Sequence, residues 1–214
     1  MLYLNVHFSE KDEAKSKYAR WDPEKKKWYA TNEKYYYRFS KWIEGESVAT
    51  NNVYIAVMDR ECWKCKNETP VYGFAVRSKG IIDITGETDD IEEYTGFDTV
   101  IIPISSNDVP EEVRKYLSES TKCEIRFSKT IKKSYFSNIC THCNTLQGNH
   151  FVYDEVDSFT GIETTMLEEN PISYIKFKLV NDIPLIYEAG DHIVAPPVKI
   201  FDENNIIESG ISIE

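Results

Sequence analysis

Four of the five cysteines stand in two short pairs, Cys62-Trp63-Lys64-Cys65 and Cys140-Thr141-His142-Cys143. A C-x-x-C pair offers two sulfurs from one tight turn and leaves backbone N–H groups free to support them. Two such pairs supply four soft ligands, the number and type that tetrahedral zinc prefers. Zinc ribbons commonly leave about 15–20 residues between their pairs. Here residues 66–139, 74 in all, intervene. The expectation is one Zn2+ site made by Cys62, Cys65, Cys140 and Cys143, joining two distant knuckles with an inserted subdomain hanging between them. A closed site of four thiolates leaves zinc no open position, so the ion contributes folding energy and not Lewis acidity.

Two other uses of these cysteines bear comparison. A thioredoxin-like redox pair opens a helix, whereas residues 69–76 read as a strand. A pair of disulfides calls for an oxidising compartment. Residues 1–8 carry no basic region and no long apolar run, so a secretory leader is not expected there. No apolar stretch approaches the length of a membrane span. A reducing cytoplasm is the expected setting. Cys123 lies in the alternating run Cys123-Glu124-Ile125-Arg126-Phe127 and reads as a buried strand residue, not a ligand. His142 stands between two ligands as a substitute for one, but the four sulfurs suffice. Lys64 and Lys66 flank the first pair and offset its charge.

The net charge is −11 over 214 residues, enough length to bury a substantial core. The charge is uneven: residues 1–46 hold ten Lys/Arg against eight Asp/Glu, a balance of +2, which leaves −13 for the rest. So acidic a body repels phosphate. Nucleic acid, if a partner, belongs to residues 1–46.

In that stretch Leu2, Leu4, Val6 and Phe8 alternate with polar residues as in a half-buried strand. Ser9 precedes Asp12 in a capping pattern, and residues 10–19 read as a helix with acids leading and bases trailing. Asp22-Pro23 signals a turn, giving a hairpin with Trp21 and Trp28 near its ends. A second helix over 32–44 has Tyr35, Phe39, Trp42 and Ile43 at helical spacing, with Gly45 to end it. Lys25, Lys26 and Lys27, between Trp21 and Trp28-Tyr29 and close to Arg20, suggest a platform for single-stranded nucleic acid. The competing and preferred reading makes both tryptophans the core of a forty-residue module and the lysines a solvated turn.

Asn5-Val6, residues 10–15 and the run Ala19-Arg20-Trp21-Asp22-Pro23-Glu24-Lys25-Lys26-Lys27-Trp28-Tyr29 resemble a short bacterial domain of uncharacterised function. That domain occurs in conjugative-plasmid DNA primases and other proteins of mobile elements and phages. The resemblance covers residues 2–40. The family usually has Pro at the place of His7 and Gly at the place of Tyr18, where Gly ends the helix in a left-handed turn. The resemblance implies an accessory module of DNA-processing proteins, not a chemistry.

Residues 46–52 are polar and aperiodic and read as a linker. Beyond them, strands are expected over 53–58, 71–77, 81–85, 99–104, 124–128, 134–139 and 151–156. Val113, Tyr116 and Leu117 form the inner stripe of a helix that starts near Pro110. Residues 87–93 carry five acids and read as a solvated loop. In the tail Ile175, Phe177 and Leu179 alternate with lysines, and Pro196-Pro197 breaks the pattern before a strand at 198–201. Cys62-Trp63-Lys64-Cys65 together with Asn138, Cys140, His142, Cys143 and Gln147-Gly148 resembles uncharacterised bacterial proteins with a C-W-x-C knuckle and a later N-x-C-x-H-C-x-x-x-Q-G knuckle.

The expected fold is thus α+β and β-rich. A small β-α-β-hairpin-α module over 1–46 is followed by a zinc-ribbon-like body over 53–214, with 66–139 inserted between the pairs. None of the common hydrolase, phosphate-loop, metalloprotease or dinucleotide motifs occurs, and His7 and His150 stand isolated. Two readings follow. One is a non-enzymatic, zinc-stabilised accessory protein whose N-terminal module contacts DNA or a DNA-processing protein. The other is an acidic protein-interaction factor or inhibitor of phage or mobile-element origin, using 87–93 against a protein partner. A metal-dependent nuclease is the weaker third, since no pair of carboxylates stands out.

Overall fold

The computed structural model describes residues 1–86, 98–155, 158–159, 170–186 and 201–214. The acidic run 87–93 and the proline break at 196–197 lie outside them.

The organising element is a five-stranded sheet in the order β14-β12-β5-β6-β8. Its strands are β5 (Asn52–Glu61), β6 (Glu68–Arg77), β8 (Thr99–Pro103), β12 (Ser173–Leu179) and β14 (Ile206–Ile213). All neighbours are antiparallel except β12 and β14. One face packs Val53, Ile55, Phe74, Val76 and Phe177 against Val113 and Leu117 of helix α2 (Glu111–Ser120). The other packs Tyr54, Ala56, Val71, Ile101 and Tyr174 against Val152, Tyr153 and Phe159. With both faces covered, β5 and β8 read as nearly unbroken apolar runs instead of alternating ones. Gly73 sits where the layers are tightest: a Cβ there would stand 2.5 Å from Ile101 Cγ2.

Residues 66–139 are therefore not an appendage. They contribute an inner strand, β6, and an edge strand, β8, to the central sheet, and the chain after the second knuckle contributes β12 and β14. The expected hanging insertion gives way to a sheet interleaved from both sides of the knuckles. From this body a three-stranded sheet rises in the order β11-β10-β9. It comprises β9 (Glu124–Ser128), β10 (Lys133–Ile139) and β11 (Leu146–Gln147).

The N-terminal module has the sheet order β1-β3-β2, from β1 (Leu2–Leu4), β2 (Arg20–Asp22) and β3 (Lys27–Ala30). The first strand stops at Leu4, and Phe8 is 78% exposed in a 3-10 turn. Helix α1 is Lys11–Ser16. His7, not Ser9, caps the preceding 3-10 turn, its side chain accepting from the Ser9 N–H, and no side chain caps α1 itself. The second helix is 3-10 over Glu33–Trp42. Side chains three apart stack on one face of a 3-10 helix, so Tyr36, Phe39 and Trp42 are buried and Tyr35 turns outward.

The expected linker is a strand, β4 (Ser47–Ala49), in a small sheet ordered β13-β4-β7 with β7 (Ile81–Asp83) and β13 (Ile183–Leu185). Its run is too short and too polar for alternation to reveal it. Val48 and Ile84 complete the module's core, and Tyr36 Oη donates to Asp182 at 2.5 Å. Gly45 makes the junction: its φ is +85°, and a Cβ there would lie 2.0 Å from the Leu185 carbonyl oxygen.

Candidate metal centre

The four paired cysteines meet. Strands β5 and β6 form a hairpin whose tip is the first knuckle, and β10 and β11 form one whose tip is the second. The two turns are built alike. The Cys62 N–H donates to the Asn67 carbonyl at 2.9 Å, and the Lys66 N–H donates to the Cys62 carbonyl at 3.0 Å. In the second, Cys140 N–H donates to Thr145 at 2.9 Å and Asn144 N–H to Cys140 at 3.1 Å. The residue after each second cysteine is left-handed, Lys66 at φ +64° and Asn144 at φ +60°. Glycine is the usual occupant of such a position, so this local similarity is concealed in the sequence.

The four Sγ atoms all lie within 4.8 Å of one another. Cys62 to Cys143 and Cys65 to Cys140 are both 3.7 Å. A tetrahedron with metal–sulfur bonds of about 2.3 Å has edges of about 3.8 Å, whereas a disulfide needs about 2.05 Å. The set therefore fits one tetrahedral ion and neither pairing as disulfides. Cys62 and Cys140 are buried, and Cys65 and Cys143 are partly so.

Donors are aimed at the sulfurs. Gln147 Nε2 lies 3.4 Å from Cys62 Sγ and also donates to the Thr145 carbonyl at 2.9 Å. Asn67 Nδ2 is 3.6 Å from Cys65 Sγ, and the Cys143 N–H is 3.5 Å from Cys140 Sγ. The side chain of Thr145 draws the Cys143 thiol down to about 6. Cys65 feels the lowering pull of Asn67, yet lost hydration and the other three sulfurs push it up to about 11. Cys65 and Cys143, held so close and shifted in opposite directions, become thiolates together only around a cation.

Contacts between the knuckles lock the arrangement. Trp63 Nε1 donates to the Leu146 carbonyl at 2.8 Å. The Thr141 N–H donates to Thr69 Oγ1 at 3.0 Å. Asn138 substitutes for a neighbouring strand: it accepts from the Tyr72 N–H at 2.8 Å and donates to the Tyr72 carbonyl at 3.0 Å. Tyr153 Oη donates to the same carbonyl at 2.6 Å and accepts from the Ile104 N–H at 3.1 Å. Asn138 and Gln147 belong to the quoted knuckle pattern, but nothing in their spacing assigned these roles. Tyr153 sits in a π-helical turn, His150–Asp154, where a strand was expected. Lys66 pairs with Glu61 at 3.0 Å. His142 is exposed and outside the sulfur cluster. Cys123 is buried and its thiol is pushed up to about 12 by that burial.

The residues proposed from sequence for nucleic acid fall on two faces of the β2–β3 hairpin. Trp21 lies opposite Trp28, and Arg20 opposite Tyr29. The two indoles meet edge-on at 5.6 Å. Trp21 is 49% exposed, so it is not core; Tyr36, Phe39 and Trp42 fill that place, with Trp28 against them. Lys25, Lys26 and Lys27 are exposed, and Lys25 pairs with Glu214 at 3.1 Å. Asp22 holds the turn, accepting from the Glu24 and Lys25 N–H groups and from Tyr3 Oη.

Residues 1–44 match a family model described as a domain of unknown function (DUF5710). Over 47 residues the chain is 45% identical to the DNA primase TraC of Escherichia coli. That match covers 22% of this chain and 3% of the primase. The N-terminal resemblance to a short domain found in DNA primases holds. No solved structure matches. Among the described residues, no helix is long and apolar enough to cross a membrane.

Proposed function

We propose that this is a non-enzymatic accessory protein in which a structural Zn2+ on Cys62, Cys65, Cys140 and Cys143 staples two hairpins, while the N-terminal module engages DNA or a DNA-processing protein. The observation that carries the reading is the cluster of four sulfurs within 4.8 Å of one another, two of the separations being 3.7 Å. A site with four sulfur ligands leaves zinc no position for substrate. Free thiols at every cysteine suit a reducing cytoplasm. The DNA-processing setting rests on the similarity of residues 1–44 to a domain shared with a primase. The test has two arms. Elemental analysis of protein purified under reducing conditions should find one zinc per chain; its absence removes the staple. Gel shifts of the full chain with single- and double-stranded DNA at rising salt should find binding that weakens with salt. Flat, absent binding leaves the module only a protein partner.

The protein-interaction reading draws on a different surface. The β9–β10 hairpin exposes Ile125, Phe127 and Ile131 at 70%, 60% and 55%. Lys129, Lys132 and Lys133 are exposed beside them. An apolar strip rimmed by charge suits a protein partner. Replacing Ile125 and Phe127 with serine should abolish capture of such a partner and leave zinc content unchanged.

A further inference from the structure

The module carries a second aromatic and cationic surface, away from the β2–β3 turn. A cavity of about 270 Å³ opens where α1 ends and the 3-10 helix Glu33–Trp42 begins, lined by Lys17, Tyr18, Asn32, Tyr35 and Arg38 over a floor of Ala30 and Phe39. The Arg38 guanidinium lies 4.3 Å from the Tyr35 ring centre and 5.7 Å from that of Tyr37. No carboxylate of the described residues forms an ion pair with it.

Tyr18 supplies the independent observation. Helix α1 closes with the Ala19 N–H on the Ala14 carbonyl and the Tyr18 N–H on the Lys15 carbonyl. That pair of bonds puts residue 18 in the left-handed region, where glycine is the cheap choice. Here a tyrosine takes it, at φ +72°, and its ring is 80% exposed. A large ring held out in solvent, in the same groove as Arg38 and Tyr35, offers a flat face to a partner.

We infer that this groove binds single-stranded nucleic acid, with bases stacked on Tyr18 and Tyr35 and phosphates held by Arg38 and Lys17. Stacking needs exposed rings beside cations, and the groove brings both together in the part of the chain with net positive charge. A duplex keeps its bases stacked on one another and offers these rings nothing. The inference rests on the module's proposed role at DNA and names the strand form and the residues.

Fluorescence anisotropy of a labelled oligothymidylate and a duplex, titrated with the full chain under reducing conditions, tests it. The single strand should bind more tightly. Tyr18→Gly and Tyr35→Leu should each cost about 5- to 100-fold in affinity. Arg38→Gln should flatten the salt dependence by about one phosphate contact. Tyr18→Gly keeps the left-handed turn, so its melting temperature should hold or rise, which separates lost contact from lost fold. If wild type binds but only the combined Lys25→Ala, Lys26→Ala, Lys27→Ala variant loses affinity, the groove is refuted while the module's role at DNA stands. If wild type binds no single strand, the groove is refuted as well. Tighter binding to duplex, or loss of a protein partner alone in the groove variants, likewise overturns it.

Discussion

Removing the proposed zinc should cost the protein a large part of its stability, and the size follows from the loop such an ion would close. Cys65 and Cys140 bracket 74 residues, 66–139. Cross-linking a loop of that length removes about 4.5 kcal/mol of chain entropy from the unfolded state at 25 °C. Zinc retained by a C-x-x-C pair in the unfolded chain would reduce the effect, so this is an upper figure for the loop contribution. At about 2–4 °C per kcal/mol for a chain of this size, the melting temperature should fall by about 9–18 °C. The two clusters on the central sheet contain no ligand cysteine, so the loss should begin locally. Trp63 is the only tryptophan beyond residue 46, and its bond to Leu146 spans the knuckles. Urea titrations under reducing conditions, with and without excess chelator, should separate the midpoints. Hydrogen exchange should quicken first at 62–67 and 140–147. Chelated and metal-loaded proteins with the same midpoint and the same exchange would refute the staple.

Gln147→Leu removes the N–H aimed at Cys62 Sγ and should weaken zinc about 10- to 100-fold in a competition titration with a chromophoric chelator. Asn138→Ala leaves the Tyr72 N–H unpaired and its carbonyl with only Tyr153; about 2–5 kcal/mol should be lost in chemical denaturation, with zinc content intact. The pH dependence of the module centres on Lys41, which bonds Glu10 and Glu13 at 2.8 Å each. Hydrogen bonds from Lys41 lower both carboxyl pKa values from 4.5, helped at Glu10 by Trp42. Below 4.5 the unfolded chain therefore binds more protons than the folded one, and stability is lost as pH falls through the lowered folded values. The same contacts raise Lys41 above 10.5, so their contribution is present below that value and fades as pH rises through the raised one. Lys41→Met should flatten both limbs of a stability-versus-pH curve followed by tryptophan fluorescence.

What could be read from the sequence divides along physical lines. The four-cysteine cluster was legible because few residues can do what cysteine does, and paired spacing is a local property. The hairpin arms were legible because apolar runs between turns are local too. Strand order is not local: β5 is flanked by β6 and β12, and nothing in residues 66–139 announces that they supply an inner strand and an edge of that sheet. The second helix misled for a subtler reason. Tyr35, Phe39, Trp42 and Ile43 satisfy a period of 3.6, while Tyr36, Phe39 and Trp42 satisfy a period of 3.0, and ten residues do not separate the two patterns. Contact with Asp182 favours the second, because it gives the buried Tyr36 hydroxyl an acceptor.

The left-handed positions extend the same argument to function. Tyr18, Lys66 and Asn144 all occupy positions that suit glycine; the turn at Tyr18 is legible only through the resemblance, which has Gly there, and those at Lys66 and Asn144 only through the cysteine spacing. At Lys66 the side chain gains an ion pair with Glu61. At Tyr18 no buried contact offsets the backbone cost, since the ring stands in solvent beside Arg38 and Tyr35. Lys26 and Lys132 are also left-handed and exposed, so what sets Tyr18 apart is its flat ring beside a cation in the groove. Of the partners the module's setting suggests, an unpaired strand offers flat faces for Tyr18 and Tyr35 together with phosphates for Arg38.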